Sequence, residues 1–432
     1  MLHWFSSLDF LGSGEAYNPR YKNLQKIAVS PRKGTKMALK PRLESELFLL
    51  LGFECFFALM DSVVLTKSLS LYHNKHYKKY NMTLSALIRN IKDLHKSNIG
   101  SDLYVIDRLE LQRDKLLSYI EDLDYSVFDV LGNSERKIKA NIKYIYENAI
   151  ECIEAYFHGR FDKSREIIFN TFFDKNNRER ILLRYDGVRP KTPFFRMRSN
   201  ETYELYTQLE MFHIPFEKRS LTTNQRYSIS GYPCLYLGNS AYGCWEELNR
   251  PNVEMCNIVA LENVAQLTVI DLSLSNMYSN EFVEADLYNM VLSLICSLKT
   301  NDRTSPFKPE YIIPQTLLSC MIRRNDKSNQ IYCDGIKYTS SLYDSKRCLF
   351  DDIRLFDNYV IPIKQSKEKG YCNELSSLFA ISPTTSIAIN KILHPYLGSP
   401  KSLSKLDKYE VSEFGLIERW LLDSDKVIVS KL

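Results

Sequence analysis

The stretch "RYSISGYPCLYLGNSAYGCWEEL", residues 226–248, decides how the chain is read. Gly231 and Pro233 mark a turn, because glycine admits left-handed backbone and proline presets φ. "CLYLG" then alternates as a strand, with Leu235 and Leu237 on one face and Cys234 and Tyr236 on the other. "NSAYGCWEEL" opens a helix, for which Asn239 or Ser240 is an acceptable cap. A path of turn, strand and helix lets Arg226, Tyr236 and the pair Glu246/Glu247 converge on one pocket. A surface ion pair, worth under about 1 kcal/mol, would not need so aromatic a strand between its partners.

Outward from this stretch, short β-type runs recur: "CNIVALE", "LTVIDLSL", "GIKYTSSLY" and "NYVIPIK", rich in Tyr, Val and Ile. Between them, residues 281–299 are expected to form one amphipathic helix. Residues 190–365 are therefore expected to form an α+β domain. Residues 82–185 differ in texture. Their three long runs, 82–96, 102–123 and 134–173, carry apolar residues at three- and four-residue spacing, which predicts a helical domain. The two-proline stretch "YDGVRPKTPFFRMRS" separates the two parts near residue 190. Residues 1–81 are uneven, with no consistent period. Their apolar run at 46–65 approaches the length of a membrane span, but Glu54 and Asp61 interrupt it, so a buried helix is expected and no membrane. Residues 366–432 turn polar and read as a peripheral extension.

The 432 residues carry 57 basic and 52 acidic side chains, a near balance that gives no reason to expect a nucleic-acid footprint over the surface. The ten cysteines contain no Cys-x-x-Cys pair and the seven histidines are dispersed, so reduced thiols are expected and no metal site. No secretory leader pattern opens the sequence, and the cytoplasm is the expected compartment.

With those residues in view, the chain resembles the RES family, named for Arg, Glu and Ser, which includes bacterial toxins that degrade nicotinamide adenine dinucleotide (NAD). Arg226-Tyr227-Ser228, Gly231, Tyr236 and Glu247 take the family's places in order, with Glu246 as the competing carboxylate. "FFRMRS" matches the opening strand and puts Arg196 near the site, while "FEKRS" supplies Arg219. The late family serine falls in "DGIKYTSSLY" as Ser340, with Ser341 beside it. The resemblance covers residues 190–365, and the preceding helical part is similar to domains related to HEPN modules.

The resemblance implies an ADP-ribosyltransferase-like fold and cleavage of the nicotinamide–ribose bond, with NAD as substrate and no cofactor. It further implies a toxin or defence effector, controlled by an antitoxin partner or by its own helical domain. The chemistry fits these residue types independently. A carboxylate, Glu247, would steady an oxocarbenium-like ribose. Arg226, assisted by Arg196 or Arg219, would grip the pyrophosphate. Tyr236 would stack on or hydrogen-bond to the nicotinamide–ribose portion, and Ser340 would orient a hydroxyl or phosphate. Water or phosphate attack, Glu246 or Glu247, and monomer or homo-oligomer all stay open.

Several residues invite rival readings. His213 is expected to be a satisfied loop histidine, Cys234 and Cys244 small buried thiols, and Trp245 core packing. "RNIKDLH" supplies Arg89, Asn90 and His95, similar to the Arg-polar-x-His element of HEPN ribonucleases; the competing reading is a plain helix face. "GSGEAYN", residues 12–18, lacks the flanking strand and helix of a dinucleotide loop. A non-catalytic module for an ADP-ribose-like ligand is the third alternative.

Overall fold

The computed structural model describes residues 82–275, 281–302, 304–328, 333–344, 347–393 and 408–432. The apolar run at 46–65 and the glycines at 12–14 lie outside them. The helical part begins with α1, Leu84–Lys96, where the Thr83 hydroxyl caps the Ala86 N–H at 3.2 Å. Leu84, Leu87, Ile88, Ile91 and Leu94 form its buried stripe, at the spacing one helix face requires. Helices α2 (Val105–Glu121), α3 (Tyr125–Leu131), α4 (Glu135–Phe157) and α5 (Phe161–Phe172) follow. Asp124 and Ser134 cap α3 and α4, and Gly132, in left-handed conformation, ends α3.

Among the described residues one sheet of ten strands forms the second part. The strands are β1 (Tyr185–Val188), β2 (Pro193–Ser199), β3 (Cys234–Gly238), β4 (Cys256–Asn263), β5 (Leu267–Leu272), β6 (Gly335–Thr339), β7 (Asp357–Pro362), β8 (Phe379–Ile381), β9 (Thr385–Ser386) and β10 (Val427–Ile428). Their order is β1-β5-β6-β7-β3-β2-β4-β8-β10, with β9 also on β4. All named pairs are antiparallel except β5 with β6. That parallel pair needs a crossover, which α7 (Glu284–Cys296) and α8 (Ile312–Ser328) supply. The fold is α+β, as the alternating runs and helical periods imply.

Three features depart from the sequence reading. Helix α7 is not amphipathic: every residue from Asp286 to Cys296 is buried, because the helix is enclosed between the N-terminal helices and the sheet. Ile145 and Ile153 of α4 share one apolar core with Leu292 and Ile295 of α7 and with Ile336 and Val360 of the sheet. The two-proline stretch is no plain linker either, since Tyr185–Val188 pairs with β5 as an edge strand. Finally, the polar tail extends the sheet through β8 and β10. Its helix α11 (Glu413–Asp423) buries Phe414, Ile417 and Leu421; α9 (Asn373–Ser377) precedes β8, and α10 (Ile387–Leu393) follows β9. Polarity averaged over that segment hides three apolar residues at helical spacing.

The deciding stretch folds as its residues dictate. The Tyr232 N–H reaches the Ile229 carbonyl at 2.9 Å, and Gly231 takes φ +72° at the corner. Leu235 and Leu237 point into one core, and Cys234 and Tyr236 into the other. Ser240 rather than Asn239 caps the following helix α6 (Ala241–Glu247), its hydroxyl accepting the Gly243 N–H at 2.8 Å.

Candidate functional site

A cleft of about 840 Å³ lies on the face of the sheet that carries Tyr236, Tyr338 and Asn358. Register explains the grouping: Gly238 and Tyr338 both stand opposite Asn358, and Tyr236 stands opposite Val360. Side chains on one pleat face recur every second residue, so these groups share a surface. The turn before β3 brings Arg226 to one wall and α6 brings Glu247 to the other.

Arg226 is held in place. It donates to the Cys296 carbonyl at the end of α7 (2.7 Å) and to the Ser341 hydroxyl (3.2 Å), and its guanidinium lies 4.8 Å from the Tyr311 ring centroid. These bonds use two of five N–H donors, so the fork retains donors for a ligand. Glu247 is exposed to the cleft and accepts from the Asn358 amide at 2.7 Å. Tyr236 donates to the Tyr227 carbonyl at 2.8 Å, and the Tyr227 and Tyr338 rings approach to 4.5 Å. Burial drives all three tyrosine hydroxyls far above their ordinary range, so they act only as neutral groups. Arg196 lies beneath this floor, bonding the Tyr236 carbonyl at 2.8 Å; burial, with Arg198 nearby, pulls it down to about 10.

Of the residues named from sequence, Arg196, Arg226, Ser228, Tyr236, Glu247 and Ser341 line the cleft. Tyr227 packs behind it. Ser340, assigned the orienting hydroxyl, does not face it: the residue is buried and its hydroxyl accepts the Leu342 N–H at 3.0 Å. The strand has ended at Thr339, alternation no longer applies, and the adjacent Ser341 meets Arg226 instead. Arg219, assigned to the ligand, is spent on structure, donating to the Gly231 carbonyl (2.9 Å) and Ser366 (2.6 Å) with Phe216 below. Glu246 is buried and bonded to Arg250 at 2.8 Å, so α6 turns its neighbour Glu247 toward the cleft.

The rival residues separate as well. His213 is fully bonded: Nε2 accepts from the Cys372 N–H (3.0 Å), so Nδ1 carries the proton and donates to the Ile214 carbonyl (2.8 Å). Burial pushes the thiols of Cys234 and Cys244 up to about 12, which leaves them protonated and unreactive. Trp245 packs on Phe414 with centroids 5.5 Å apart. Among the described residues no cluster of side chains suited to a metal ion occurs, and no helix is long and apolar enough to cross a membrane.

Arg89 and His95 do not meet. Arg89 is exposed whereas His95 is 3% exposed, as six residues of α-helix place side chains far apart around the axis. Among the described residues neither ring nitrogen of His95 has a hydrogen-bond partner. Burial, with Lys299 and Arg226 adding, pulls it down to about 3. A base kept neutral in the fold but free to protonate when unfolded loses stability as pH falls below about 6.5. His95→Leu should therefore be more stable than wild type, by a margin that grows about 1 kcal/mol between pH 6.5 and 5.5. Urea unfolding at both pH values measures it; a margin independent of pH would refute the buried neutral state.

With this geometry in place, comparison with known proteins gives one clear relative. The chain is 32% identical over 350 residues to the protein named "Putative toxin YopC" from Bacillus subtilis (strain 168), covering 73% of this chain and 75% of that protein. The chain belongs to the YopC family. It matches no family model and no solved structure. The aligned length exceeds the helical part or the sheet part alone, so the likeness to YopC extends over both.

Sequence reasoning missed several cleft residues of this YopC relative. Asn358 was legible in principle, as an amide opening the largely apolar strand run "NYVIP". Lys308 and Tyr311 were not, because they come from the irregular connection between α7 and α8; Lys299 falls at the end of the expected helix 281–299, which stops instead at Cys296.

Proposed function

We propose that this YopC-family chain is a NAD-consuming toxin that breaks the nicotinamide–ribose bond. One observation carries the reading: among the described residues Glu247 is the only carboxylate lining a cleft whose other charged lining groups are Arg196, Arg198, Arg226, Lys299, Lys308 and Arg347. The cleft volume of about 840 Å³ falls in the range of small-ligand sites, roughly 300–1,000 Å³. Such a cleft favours an anionic ligand and reserves one negative group for a positive centre. A dinucleotide meets both conditions, with its pyrophosphate and its cationic nicotinamide riboside. The order of Arg226, Tyr236 and Glu247, as in the RES family, supports the same choice.

In this mechanism Arg226 grips the pyrophosphate, and the Tyr236–Tyr338 floor supports the riboside. The ribose C1′–N bond breaks with its electron pair passing to the pyridinium nitrogen, so nicotinamide leaves neutral. Glu247, oriented by Asn358, stabilises the positive ribose that remains. Water, losing a proton, or phosphate then forms the new C1′–O bond. Ser341 takes the role first given to Ser340.

Free nicotinamide released from NAD by the purified chain tests the reading, and product analysis with and without phosphate separates the two nucleophiles. Binding of ADP-ribose without turnover would leave only a ligand module. Arg226→Lys keeps the charge but loses the fork and its anchor on Cys296. Hydrogen bonds to charged groups are worth about 1.5–3 kcal/mol, so ADP-ribose affinity measured by calorimetry should fall about 10- to 100-fold. Unchanged affinity would remove Arg226 from the site.

A further inference from the structure

The N-terminal helical layer does more than cover the sheet. Arg108 of α2 is 1% exposed and all five of its N–H donors are used. Nε donates to the Ile99 carbonyl at 3.1 Å and Nη2 to Asn98 at 3.1 Å, both in the turn after α1. Nη2 also reaches the Lys299 carbonyl at 2.9 Å, and Nη1 reaches Asn301 and Glu310, each at 3.1 Å. One guanidinium thus ties the turn after α1 and α2 itself to two neighbouring segments, around residues 299–301 and at Glu310, the latter 202 residues further along the chain.

Those three segments form one wall of the cleft. Asn98, Lys299 and Thr300 line it, as do Lys308 and Tyr311 on either side of Glu310. Lys299 is fixed a second time, its ammonium donating to the Lys96 carbonyl at 2.6 Å. Tyr311 is the ring on which Arg226 rests. A shift of the wall would therefore move Lys299, Lys308 and the support of Arg226 together.

We propose that Arg108 is a positioning residue, through which the helical layer sets the cationic wall at the spacing that a diphosphate-containing ligand requires. The inference rests on the reading of the cleft as a dinucleotide site, and Arg108 itself touches no ligand. It makes the helical part a component of the site rather than a detachable regulator.

The test uses the full chain with two variants. Arg108→Lys keeps a positive charge beside Glu310 but cannot form five bonds. The double variant Arg108→Leu/Glu310→Leu removes both buried charges, avoiding the unpaired Glu310 that Arg108→Ala would leave. Calorimetry with ADP-ribose and with inorganic pyrophosphate, at a temperature where circular dichroism shows each variant folded, should give affinities about tenfold weaker or worse in both variants. The Michaelis constant for NAD should rise while kcat stays within about threefold. A merely structural Arg108 would lower the unfolding midpoint and leave affinity and Michaelis constant alone; that outcome overturns the proposal. Wild-type binding of both probes without NAD turnover, weakened in the variants, would refute NAD cleavage and uphold Arg108. A wild-type chain that binds neither probe overturns both.

Discussion

Glu247→Gln should release nicotinamide at least about 100-fold more slowly than wild type while binding ADP-ribose within a few-fold of it. The amide keeps the shape and the contact with Asn358 but lacks the charge, and that charge matters only once the ribose becomes positive. Glu246→Gln provides the contrast. Its carboxylate is buried against Arg250, so the change should lower the unfolding midpoint and spare turnover per folded molecule. Rates normalised to folded protein decide between the two. If Glu246→Gln is the inactive variant, α6 presents its other carboxylate to the substrate.

Gly243→Ala is expected to damage both the fold and the site with a single methyl group. A Cβ on Gly243 would stand 2.2 Å from the Leu355 carbonyl oxygen, a backbone atom that cannot swing aside. Helix α6 must then lift away from the segment before β7, and Glu247 moves with it. A loss of about 3 kcal/mol in stability should accompany a fall in turnover larger than the unfolded fraction explains. Thermal unfolding and nicotinamide release, measured on the same samples, check both parts. A stable and fully active Gly243→Ala protein would mean that α6 has room to move.

Much of this was legible because local rules and tertiary demands coincide. In β3, alternation alone separated Leu235 and Leu237 from Cys234 and Tyr236, and burial on both faces left the assignment intact. Helix α1 likewise declared its stripe. Legibility failed where the environment, not the pattern, set the outcome. Helix α7 has polar positions such as Asn289 and Ser293, yet both are buried, and Asn289 bonds the Arg184 and Asp271 carbonyls across the fold. Ser340 and Ser341 differ by one position beyond a strand end, where period no longer says which faces the cleft. Arg219 and Arg226 are alike as residues; only the fold shows that one fastens a turn and the other a ligand wall. Arg108 carried no signal, since its partners are supplied by distant loops.

The support of α6 from the tail has a bearing on biosynthesis. Glu418 of α11 accepts the Ala241 N–H at 2.5 Å, at the start of the short helix that carries Glu247, and is itself bonded by Tyr409. A nascent chain emerges from the ribosome with residues 226–248 exposed long before residue 418. Until then α6 lacks its brace, and the sheet lacks its last strand, β10. If the proposed activity holds, fragments that end before Tyr409 and Glu418 should release less nicotinamide than the full chain, although every cleft residue is present.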